Sequence, residues 1–129
     1  MASSDMSKIE SHEDLEVWQL SMDLAQRCYE LTAGLPKEER YGLVSQIRRC
    51  AVSIPSNIEE GYGRDQRGSF IQFLRIALGS TRELDTQLQL CVRLKLLEAD
   101  KLMDSKTLVL RVSKMLRSLI RRLEEKGGS

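Results

Sequence analysis

Apolar residues recur every three or four positions along most of the chain, and no stretch alternates in the way a half-buried strand would. The first run, Leu15, Trp18, Met22, Ala25 and Tyr29, is spaced 3-4-3-4, with Leu24, Cys28 and Leu31 widening the stripe. It predicts a helix from Asp14 to Ala33 that stops at Gly34 and Pro36. A second helix is expected to begin near Lys37 to Tyr41 and to carry Leu43, Ile47, Ala51, Ile54 and Ile58 on one face before Gly61 and Gly63 end it. Pro55 lies inside this pattern and predicts a kink, because its nitrogen cannot bond the Ala51 carbonyl. Ser69 and Gln72 read as a capping box that starts a third helix. Its seam, Phe70, Leu74, Ala77, Thr81, Leu84, Leu88 and Cys91, repeats 4-3-4-3-4-3 toward Leu94, with Phe73 and Ile76 as a second stripe. After a connection from Lys95 to Asp100, Val109, Val112, Leu116, Leu119 and Leu123 define the last helix, and the Gly127-Gly128-Ser129 tail is expected to fray.

Four amphipathic helices joined by short loops make the fold class all-α. They pack most simply as an antiparallel, up-down-up-down four-helix bundle, and a period near 3.5 favours a left-handed supercoil. Residues 1–11 form a lead-in, 12–125 the bundle and 126–129 a tail. Gly79 interrupts the third helix at a cost of about 1 kcal/mol relative to alanine, which points to a close approach of the second helix. Ser53, Asn57 and Glu60 on the second helix would then meet Ser80 and Glu83 on the third in a structural polar network. Leu24, Leu31, Ile71 and Leu78 are left over once the bundle face is assigned. A second copy is expected to cover them, and one repeated heterologous interface closes into a ring.

Composition narrows the function classes. With 129 residues, 41% hydrophobic and 30% charged, the chain holds one folded domain and lacks the apolar run of a membrane span. Its first fifteen residues carry Asp5, Glu10, Glu13 and Asp14 and read as no signal peptide, so the expected location is the cytoplasm. Cys28, Cys50 and Cys91 are then buried free thiols. His12 is the only histidine, too few for the paired Glu-x-x-His motifs of a di-metal bundle and without a nucleophile to serve. Gly61, Gly63 and Gly68 follow no strand and read as punctuation, not as a phosphate loop. No catalytic residue, metal, cofactor or small-molecule substrate is therefore expected.

Net charge is +1 but uneven: residues 1–39 carry three basic and nine acidic side chains, and residues 106–129 carry seven basic and two acidic. The acidic first helix and the basic last helix are candidates to face each other. Arg48 and Arg49 are adjacent, Arg64 and Arg67 occupy the next turn, Arg75 and Arg82 lie on the third helix, and Arg111, Lys114, Arg117, Arg121 and Arg122 fall near one face of the last. Arg48, Arg49, Arg64, Arg67, Arg117, Arg121 and Arg122 form the candidate nucleic-acid-binding set, whose phosphate contacts would make affinity salt-dependent. The alternative is a solvated or intersubunit salt-bridged face. Two Phe, three Tyr and one Trp supply no evident base-reading cluster.

The segments Leu15-Glu16-Val17-Trp18, Leu35 to Leu43, Gln46 to Arg64, Phe70 to Leu74 and Ala77 to Leu84 carry a resemblance. Together they resemble the bacterial four-helix-bundle family encoded in intervening sequences of 23S ribosomal RNA genes, also labelled a ribosomal protein family. The match covers about residues 12–123 and departs from the family pattern at Cys50, Glu59 and Thr81. The resemblance implies an antiparallel bundle assembled into a cyclic homopentamer, without enzyme activity. The accessory variability protein of diversity-generating retroelements, a basic pentameric barrel that looks like a binder of reverse transcriptase and nucleic acid, is a more distant relative of the fold. Two readings follow: an oligomeric module contacting RNA or a ribonucleoprotein through its arginines, or a structural, protein-interaction scaffold whose charges serve its own subunit contacts.

Overall fold

The computed structural model describes residues 2–128, with side chains from 16 to 127. Its elements are α1 (Ala2–Ala33), a 3₁₀ turn (Lys37–Glu39), α2 (Leu43–Tyr62), α3 (Arg67–Arg93) and α4 (Ala99–Gly128). The side chains of Leu15 and His12 lie outside the described residues. Each helix packs on two others: α1 on α2 and α4, and α3 on α2 and α4. Particular contacts set the register. Thr32 meets Arg48, Cys50 meets Ser80, Thr81 meets Ser113, Arg27 meets Asp104 and Arg75 meets Glu124. The acidic first helix and basic last helix do lie side by side, and Arg111 also reaches Glu16 at 3.8 Å.

The seams of α3 and α4 match their sequence pattern: all seven predicted residues of α3 and all five of α4 are buried. On α2, Ile47, Ala51, Ile54 and Ile58 are buried as expected, joined by Cys50, Pro55 and Gly61, while Leu43 at the start of the expected face is only partly buried. In α1 the core stripe is rotated by one residue from the expected one. Val17, Ser21, Leu24, Cys28 and Thr32 face the core, whereas Met22 and Tyr29 are each 44% exposed. Ser21 donates to the Trp18 carbonyl and Thr32 to the Cys28 carbonyl, both at 2.7 Å. Each hydroxyl is thus satisfied by its own helix, which lets a polar side chain occupy an apolar seam. Leu24 is consequently core, and Leu31, Ile71 and Leu78 pack partly buried against it, so these four do not form the surplus surface.

Several local expectations are corrected. The segment after Pro36 forms a separate 3₁₀ turn, and α2 starts only at Leu43, whose amide donates to Glu39 Oε1 at 3.3 Å. Ser69 does not cap α3, which begins two residues earlier with Gln66 as an N-cap that makes no side-chain bond. Gly79 is in open space, so it marks no close approach. The close approach is at Gly61, inside α2, where an added Cβ would lie 2.8 Å from Phe73 Cβ and 3.0 Å from Phe70 Cδ1. Gly61 is therefore a packing residue on α3, not a terminator. α4 continues through Gly127 to Gly128, with Gly127 close to the Arg67 side chain. Between α3 and α4, Lys95 takes a left-handed φ of 62°. Its amide donates to the Val92 carbonyl and that of Leu96 to the Cys91 carbonyl, the two bonds of a Schellman closure.

Candidate nucleic-acid interface

The α1–α2 groove is built by the rotated register of α1, which leaves Trp18, Met22 and Tyr29 along its rim. Arg48 lies in this groove and is committed to it. Its Nε donates to Thr32 Oγ1 at 2.9 Å, its Nη2 to the Tyr29 carbonyl at 3.3 Å, and its guanidinium stacks 4.4 Å from the Tyr29 ring centre. Arg48 thus staples α2 to the last turn of α1. Arg49, next to it, is exposed and makes no ion pair among the described residues.

Arg64 and Arg67 sit where α2 passes into α3. Arg64 pairs with Glu60 at 2.7 Å and lies 4.9 Å from the Phe73 ring centre. Gly127 of α4 approaches Arg67, so this turn and the end of α4 meet at the same end of the molecule. Arg117 and Arg121 are exposed and, among the described residues, in no ion pair. The five basic residues expected along α4 spread over one broad arc of the helix, at whose edge Arg111 is drawn into an ion pair. Lys114, Arg117 and Arg121 share a helix face, whereas Arg111 turns to Glu16 on α1 and Arg122, 11 residues on, shares that side. The candidate set therefore divides between the Arg48 end of the α1–α2 groove and the opposite end of the bundle, where Arg64 closes the other half of that groove.

The polar network is smaller than expected. Ser53 and Ser80 hydroxyls bond across α2 and α3 at 2.8 Å, and Asn57 Nδ2 donates to the Ser53 carbonyl at 2.7 Å and to its hydroxyl at 3.0 Å. Glu60 is exposed and serves Arg64 instead. Glu83 is exposed beside Cys50. The Cys50 thiol donates to the Ser80 carbonyl at 3.1 Å. Burial pushes it up to about 12, with Glu83 adding to the shift. Burial also pushes Cys28 up to about 12, and Cys91 is raised for the same reason. These thiols stay protonated near neutrality, so they are poor nucleophiles and poor metal ligands.

Among the described residues no cluster of three or more His, Cys, Asp or Glu could hold a metal ion, and no helix is long and apolar enough to cross a membrane. Sequence reasoning missed the mouth of the groove, where Lys37, Arg40 and Tyr41 join Arg48 and Arg49. The cluster of Lys37, Arg40 and Tyr41 within five positions was its only local signal.

A solved structure from Bacteroides thetaiotaomicron, a protein of unknown function from the S23 ribosomal protein family, superposes with a TM-score of 0.78 at 28% identity. The alignment covers 84% of this chain and 98% of that one. No curated protein matches the sequence. The family model described as 23S rRNA-intervening sequence protein matches residues 13–118, across all four helices. With both the helical pattern and the solved relative in agreement, the chain belongs to the 23S rRNA-intervening sequence protein family.

Proposed function

We propose that this protein catalyses no reaction and acts as a self-associating binding module that contacts RNA, alone or in a ribonucleoprotein, through its arginines. The observation that carries the reading is that Arg49, Arg117 and Arg121 are exposed and not engaged in ion pairs among the described residues. Guanidinium groups left to solvent in this way are available to phosphate oxygens. The order of the interhelical contacts supports an antiparallel, up-down-up-down bundle, since higher numbers on each helix meet lower numbers on its neighbour. Two exposed apolar faces support self-association: Met22 and Val52 flank the α1–α2 groove, and Met103 and Leu110, 66% and 60% exposed, lie on α4. Two unlike faces suit a head-to-tail contact of the kind that closes a ring, and the resemblance to the family makes a pentamer the expected ring.

RNA binding at low and high salt tests the reading in wild type and in an Arg49→Glu, Arg117→Glu, Arg121→Glu variant. Arg48 is left intact because it holds α1 to α2. Wild-type affinity should fall steeply with salt, and the variant should lose at least tenfold at unchanged helicity. Absence of binding at low salt removes RNA as the partner. The second reading, a protein-interaction scaffold, is favoured by the same apolar faces and would then stand alone.

A further inference from the structure

The mouth of the α1–α2 groove, where α1 ends, the 3₁₀ turn crosses and α2 begins, has a lining of one charge sign. Among the described residues, Lys37, Arg40, Arg48 and Arg49 line it and no carboxylate does, in a cavity of about 950 Å³. The adjoining half of the same groove is different, with Glu59 and Glu60 beside Arg64. Two tyrosines border the cationic half. Tyr29 is occupied under Arg48, but Tyr41 is 89% exposed, the most exposed large hydrophobic side chain among the described residues. An aromatic ring held in solvent at the rim of a cationic cavity offers a free π-face next to positive charge.

We infer that this pocket binds an unpaired stretch of RNA, with phosphates against Lys37, Arg40 and Arg49 and a base stacked on Tyr41. This deepens the RNA-binding reading and rests on it. Charge complementarity selects an anion, and the exposed ring selects one that carries a planar group. A duplex keeps its bases stacked inside the helix and offers Tyr41 nothing, whereas a single strand presents base faces and phosphates together. Arg48 contributes by position: bound to Thr32 and the Tyr29 carbonyl, it fixes the floor of the pocket and adds charge without leaving its contacts.

Fluorescence anisotropy tests the inference on the full chain, using a labelled unstructured RNA strand and the duplex of the same length. The proteins are wild type, Tyr41→Ala, Tyr41→Phe and the Arg117→Glu, Arg121→Glu pair. Wild type should prefer the single strand. Tyr41→Ala should lose roughly tenfold or more of single-strand affinity with duplex affinity unchanged, while Tyr41→Phe keeps the preference because stacking needs only the ring. Tyr41 is so exposed that its loss leaves the core untouched, and circular dichroism confirms the fold of each variant. If wild type binds strand and duplex equally and only the Arg117, Arg121 pair weakens binding, RNA recognition stands and the pocket is overturned. Indifference of single-strand binding to Tyr41→Ala overturns it as well. If wild type binds neither RNA, the pocket and the parent reading fall together.

Discussion

Two glycines inside helices, Gly61 in the last turn of α2 and Gly79 near the centre of α3, play opposite parts. At Gly61 a Cβ would stand 2.8 Å from Phe73 Cβ, with the Phe70 carbonyl oxygen at 3.2 Å, so α2 could accommodate it only by moving off α3. Gly61→Ala should therefore destabilise the protein by about 1–3 kcal/mol, the usual cost of overpacking. Gly79 has open space around its Cα, and Gly79→Ala should stabilise by about 1 kcal/mol through helix propensity. Denaturant midpoints measure both, and equal shifts in the two variants would contradict the packing assigned to Gly61. From the chain alone the roles look reversed, because Gly61 falls near an apparent helix end and Gly79 in a helix centre. What a missing Cβ would touch depends on a neighbour far away in sequence.

Among elements, α1 carries the clearest lesson. Its core stripe contains Ser21 and Thr32, polar by type yet 0% and 2% exposed. Trp18, Met22 and Tyr29, apolar by type, line the groove rim. Hydrophobic spacing alone selects the wrong one of two stripes one residue apart, because it cannot see that a hydroxyl bonded to its own helix behaves as an apolar group. The rim residues then give Arg48 its seat between α1 and α2. Arg48→Ala should cost about 1–2 kcal/mol of stability through lost hydrogen bonds and ring stacking. Arg49→Ala, one position along and exposed, should stay within about 0.5 kcal/mol. Thermal unfolding of the two single variants separates them, and a matching loss in both would refute the staple.

For the whole molecule, α1 and α4 are neighbours, and their described ion pairs run in both directions, Glu16 of α1 to Arg111 of α4 and Arg27 of α1 to Asp104 of α4. These pairs are exposed and contribute little individually, so they bias which helices adjoin without holding the assembly together. Apolar faces are the stronger argument for association. Light scattering should return a mass several times 14.7 kDa for wild type, and a Met103→Glu, Leu110→Glu variant should return the single-chain mass with helicity intact. An unchanged oligomer in that variant would place the interface elsewhere, and a monomeric wild type would end the proposal.

Much of the fold was legible in the residues. The number of helices and the approximate spans and core faces of α2, α3 and α4 follow from periodicity, because a helix buries whichever side repeats every three or four positions, whereas α1 begins at Ala2 and not at the expected Asp14. The surface arginines were legible as candidates by residue type alone. Tertiary structure decided the rest: which stripe of α1 faces inward, which glycine is crowded, that Arg48 is committed to Thr32 and Tyr29, and that Tyr41 stands free beside Lys37, Arg40 and Arg49. Each of these depends on the side chain placed opposite by packing, and a linear pattern records spacing along one helix but not what the next helix brings to meet it.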